Sequence, residues 1–96
     1  MSMQSAPLHP SIATDYRRQF WGRIFGDGIR ISRERAGMSV EEAAGLSGME
    51  ISEWMAIEDG NVPQDVTRLR AIAASIEVSY DQISSLALLC REAWEL

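Results

Sequence analysis

No lysine occurs among the 96 residues; all nine cations are arginine, and fourteen Asp and Glu outnumber them to give a formal net charge of −5. The imbalance is local as well: between Arg35 and Arg68 there is no basic residue, while Glu41, Glu42, Glu50, Glu53, Glu58, Asp59 and Asp65 all fall there. Phosphate neutralisation supplies most of the affinity of an ordinary nucleic-acid binder, so this balance argues against general polyanion binding. A single cysteine, Cys90, excludes an intramolecular disulfide. No apolar run approaches the roughly 20 residues that a spanning helix needs. Met1 to Pro10 lacks the basic start and apolar stretch of a signal peptide, so the expected compartment is the cytoplasm, with no membrane partner.

Catalytic groups are scarce too. His9 is the only histidine and lies beside Pro7 and Pro10, where an exposed imidazole is incidental. Cys90 stands on an apolar helical stretch and reads as a buried thiol rather than a nucleophile. Glu41 with Glu42, and Glu58 with Asp59, are adjacent on helices, so their carboxylates splay apart and cannot share acid–base work. No metal-ligand spacing occurs, and FGDG at Phe25 to Gly28 lacks the strand and phosphate-loop context that would give its glycines meaning. The chain is therefore expected to have no enzymatic activity, no cofactor and no metal.

What is present is helical periodicity. A hydrophobic content of 46% is enough for one compact core. Residues 1–14 hold two of the three prolines and no helical spacing, and are expected to form a flexible arm ahead of a single domain over 15–96. From Asp15 to Ala36, Tyr16, Phe20, Ile24, Phe25 and Ile29 recur at helical intervals; Gly26 and Gly28 weaken this helix and Gly37 ends it. Ser39 and Glu42 form a capping box for a helix from Val40 to near Gly48. A third helix opens after Met49 and ends at Gly60. Asp65 caps a fourth, with Val66, Leu69, Ile72, Ala73 and Ile76 on one face, and Ser79 caps a fifth from Tyr80 to the C-terminus. The expected fold is all-α, with five helices and no strand.

The segment FGDGIRISRERAGMSVEEAAGLSGMEISEWMAIEDG, Phe25 to Gly60, followed by VTRLRAIAASIEVSYDQI, resembles the helix-turn-helix of the Cro/CI repressor (XRE) family. Ala44 falls where the first helix of the pair needs a small residue, and Gly48 falls at the turn, where left-handed backbone suits glycine. The resemblance implies a compact, lambda-repressor-like domain. It also implies an ion pair between Arg33 and Glu58, tying the first helix to the end of the recognition helix. It places Val40, Glu50, Ile51, Ser52 and Ala56 where family members read base edges, and Asp59 where they often carry Arg, Lys or Asn.

These residues suit DNA poorly. Ile51, Ala56 and Val40 offer only apolar contact, and Glu50, Glu53 and Asp59 would meet phosphate with like charge. Such a degenerate acidic recognition helix is similar to that of small helix-turn-helix antiactivators. The expectation is a transcription regulator acting through protein contact, binding a transcriptional activator through Val40, Glu50, Ile51, Glu53, Trp54, Met55 and Asp59. Trp54 stands where the family favours Ile or Val, and fits either a repacked core or an exposed anchor for a partner. The alternative is a sequence-specific XRE repressor that contacts DNA through Arg17, Arg18, Arg35, Ser52 and Ala56. The C-terminal helix carries Ile83, Leu86, Ala87, Cys90, Ala93 and Trp94 on one stripe, widened by Leu88, Leu89 and Leu96, and is the expected surface for a homodimer.

Overall fold

Helices α1 (Pro10–Arg35), α2 (Val40–Ser47), α3 (Ile51–Glu58), α4 (Val66–Ser75) and α5 (Tyr80–Glu95) account for the fold, with no strand among the described residues. The computed structural model describes the backbone of residues 10–95 and the side-chain surroundings of residues 16–91. α1 lies along α5 and crosses α3, α2 packs on α3 and α4, and α4 packs on α5.

The helix starts follow local chemistry. The Ser39 hydroxyl accepts from the Glu42 N–H at 3.0 Å, and the Glu42 carboxylate accepts from the Ser39 N–H at 2.9 Å, so the capping box is complete. Asp65 caps α4 by accepting from the Arg68 N–H at 3.0 Å. α1 begins at Pro10, ahead of the expected Asp15; a proline in the first turn forfeits no intrahelical bond. Residues 10–14 therefore belong to the helix, whereas the rest of the expected arm, with His9, lies outside the described residues.

The helix ends are equally local. Met49 N–H donates to the Ala44 carbonyl at 2.9 Å and Gly48 N–H to the Gly45 carbonyl at 3.2 Å, with Gly48 left-handed at φ 71. This pair of bonds stops α2 and sets the short turn into α3. After α4 the left-handed position falls on Glu77, φ 59, a conformation that a side chain disfavours.

The core gathers Phe25 and Ile29 of α1, Ala43 and Ala44 of α2, Trp54 and Ile57 of α3, Leu69, Ile72 and Ala73 of α4 with Ile76 just beyond it, and Ile83, Ala87 and Cys90 of α5. Each large apolar side chain fully buried here is worth about 1.5–3 kcal/mol. Periodicity does not tell inward from outward positions, and one glycine does more than its propensity implies. Tyr16, Phe20 and Ile24 share the apolar spacing of Phe25 and Ile29 but face solvent, because the spacing covers two faces of α1. Val66, expected on the inner face of α4, is exposed. Gly26 does not merely weaken α1: a Cβ there would collide with the Glu58 carbonyl oxygen, and one on Gly22 would lie 2.5 Å from the Gly60 carbonyl oxygen. These two glycines, one turn apart, let the end of α3 press against α1 backbone to backbone.

Candidate interaction surface

The second helix of the pair is held by one carboxylate. Arg33 Nε donates to Glu58 Oε2 at 2.6 Å, another Arg33 nitrogen donates to Glu58 Oε1 at 3.2 Å, and the third reaches the Met38 carbonyl at 2.9 Å. Trp54 Nε1 donates to the same Glu58 Oε2 at 2.5 Å. The Arg33–Glu58 pair implied by the resemblance is thus formed, with both side chains only 11% exposed. Its hydrogen bonds to Glu58 raise the Arg33 guanidinium above its ordinary range, so it stays charged.

Trp54 is wholly buried and is withdrawn from the partner-facing residues. It is buried in one cluster with the small Ala43 and Ala44, and Glu58 one turn on satisfies its N–H. What remains on the outward side of α3 is Ile51 at 45% and Met55 at 52% exposure, spaced i, i+4 and so on one face. Ser52, Glu50 and Asp59 are exposed beside them. Val40 contributes little to this surface, since it packs against the core.

Ala56 and Glu53 turn to a different side. They line an open groove of about 600 Å³ between Arg18 and Arg23 of α1, the loop from Asp59 to Asp65, and Arg68. Cys90 is buried at its floor, and desolvation pushes its thiol up to about 11, which keeps it neutral and unreactive near pH 7.

The electrostatics of the face are acidic. Arg68 Nε donates to Glu53 at 2.7 Å, and a second nitrogen lies 3.4 Å from Asp65, so the cation closest in sequence beyond α3 is engaged by two carboxylates. Helix N-termini are where backbone N–H groups ordinarily meet phosphate. Here the start of α2 carries Glu41 and Glu42, and the start of α3 carries Glu50 and Glu53. Of the arginines considered for DNA, Arg17 and Arg35 are exposed and Arg18 is half-buried, all on α1 rather than on the recognition helix.

Position-specific signals could have found part of this. Trp54 and Glu58 stand four apart on one helix, the spacing that lets an indole N–H reach a carboxylate, and Val66 shares the first turn of α4 with Arg68, whose bond to Glu53 brings that turn beside α3. Among the described residues no group of His, Cys, Asp or Glu could hold a metal ion, and no helix is long and apolar enough to cross a membrane. No curated protein and no solved structure matches the chain. A family model for the helix-turn-helix domain matches residues 24–86, well over half of the sequence. The turn at Gly48, the packed pair α2 and α3, and that match agree, and the chain belongs to the helix-turn-helix domain family, of the XRE-like kind.

Proposed function

We propose that this helix-turn-helix regulator works by protein contact, its α3 face docking on a basic surface of a transcriptional activator. The observation that supports this most is the face itself. Ile51 and Met55 form an apolar centre with Glu50 and Asp59 exposed beside it, and no arginine occurs between residues 36 and 67. An apolar centre inside a charged edge is the anatomy of a protein interface. The acidic edge steers it toward a cationic partner. A DNA-binding surface on an activator is cationic, and covering it blocks the activator.

The test is capture of partners from cells with the wild type and with Ile51→Lys and Met55→Lys. Both positions are exposed, so the variants keep their helix content, and loss of a captured activator is the expected result. An activator retained by both variants contradicts the reading.

Family membership favours a second reading, a repressor that binds a specific operator. Its phosphate contacts would come from Arg17, Arg18 and Arg35, with Ser52 and Ala56 toward the bases. Binding to promoter duplexes with a steep salt dependence would establish it.

A further inference from the structure

The outward side of α1 carries Tyr16, Phe20, Ile24 and Ile31, exposed by 64%, 59%, 37% and 43%. At 3.6 residues per turn these four lie within about 80° of one another, so they make a continuous apolar stripe. The inward side is supplied by other residues, Phe25 and Ile29, with Trp21 packed against them. Nothing in the fold requires two exposed aromatics and two exposed isoleucines in a row, and an apolar stripe of this kind marks a contact surface.

We propose that this stripe is the seam of an antiparallel homodimer, with α1 of two copies side by side about a two-fold axis at the level of Phe25. A two-fold interface must be self-complementary, since the same patch faces itself. The sequence of α1 meets that condition about one point. Antiparallel pairing centred there sets Arg23 against Asp27 of the second copy and the Tyr16 hydroxyl against Glu34 of the second copy, and brings Phe20 within one residue's rise of Ile31 of the second copy.

Edges also match. In an antiparallel two-fold pair each edge of a helix meets the same edge of its mate, and Tyr16, Arg23, Asp27 and Glu34 fall on one edge of the stripe. Asp27 already meets Arg30 of its own helix at 3.3 Å, an exposed pair that leaves acceptor capacity for a second cation. The unfavourable meeting, Arg17 with Arg35 of the second copy, falls at the ends of the seam, where solvent and salt screen it. From Tyr16 to Ile31 the seam is about 22 Å long. That is short of a standard interface, so the dimer forms with a dissociation constant on the order of micromolar. The seam uses no residue of the α3 face and stands or falls independently of the function proposed above.

Sedimentation velocity of the full chain over a rising concentration series tests it. The expected result is a shift from the 10.7 kDa monomer toward twice that mass in the micromolar range. Phe20→Glu weakens association at least about a hundredfold with unchanged helix content, because Phe20 sits in the seam twice per dimer. Arg23→Asp and Asp27→Arg each weaken it about tenfold, and the two together recover it. A monomer up to about 500 µM overturns the proposal. So does a dimer that Phe20→Glu leaves intact, which would place the contact elsewhere, as on α5 with its exposed Leu88 and Leu89. Failure of the charge-swapped double variant to recover overturns the antiparallel register.

Discussion

At Glu58, one oxygen accepts from Arg33 Nε and Trp54 Nε1 together, and the other takes a second Arg33 nitrogen. Replacing Glu58 with Ala leaves a largely buried guanidinium and a buried indole N–H with no acceptor there. The expected cost is about 3 kcal/mol, read as a lowered denaturant midpoint at unchanged slope. A loss under about 1 kcal/mol contradicts the central place given to this carboxylate. The Arg33–Glu58 pairing was legible because both residues occupy family positions. The placement of Trp54 was not, because periodicity puts a tryptophan on an inward position without saying whether space exists. The core around it is shared with residues of other helices, Ala43 and Ala44 among them.

Among the elements, α1 offers a paired test. Gly28 has no atom within 4 Å of an added Cβ, so Gly28→Ala is expected to stabilise by about 0.5–1 kcal/mol, the usual gain for alanine over glycine inside a helix. Gly26→Ala gains the same propensity but drives Cβ into the Glu58 carbonyl, which is backbone and cannot swing aside; a net loss of about 1–3 kcal/mol is expected. Thermal melts of the two variants moving in the same direction would overturn the close crossing of α1 and α3. Both glycines look alike in the sequence. What separates them is a segment some thirty residues away, and local pattern carries no record of it.

The caps of α2 and α4 respond to acid. Glu42 is held below the ordinary glutamate range, first by the Ser39 N–H and then by the Ser39 side chain; Asp65 is held below its ordinary range, first by the Arg68 N–H. A carboxyl lowered in the folded state stabilises the fold at pH above its unfolded value and loses that contribution as pH falls through the folded value. Melting temperature is therefore expected to be level from pH 7 to about pH 5 and to fall below about pH 4, with a shallower fall in a Glu42→Gln, Asp65→Asn variant. An unchanged slope in that variant would assign the acid response to other carboxylates. These caps were the most legible features of the fold, since Ser39 with Glu42 and Asp65 with Arg68 are three residues apart and depend on nothing distant.

Over the whole molecule, charge and apolar surface are sorted. Half of the acidic residues fall between Arg35 and Arg68, six of the nine arginines lie on α1, and six of the ten large exposed apolar side chains among the described residues lie on α1 or the α3 face. The acidic character of the α3 face was legible from the run between Arg35 and Arg68. The outward stripe of α1 was not, since its residues share the helical spacing of the core residues beside them.

The measurement that tests the account most directly is binding of the purified protein to fluorescent random-sequence and promoter duplexes, from low to moderate salt. A face edged by Glu50 and Asp59, with Arg68 beside it engaged by Glu53 and Asp65, predicts no detectable binding even at the lowest salt. Salt-sensitive binding with one promoter site held more tightly than random DNA would contradict that, and would assign the domain to operator recognition through the arginines of α1.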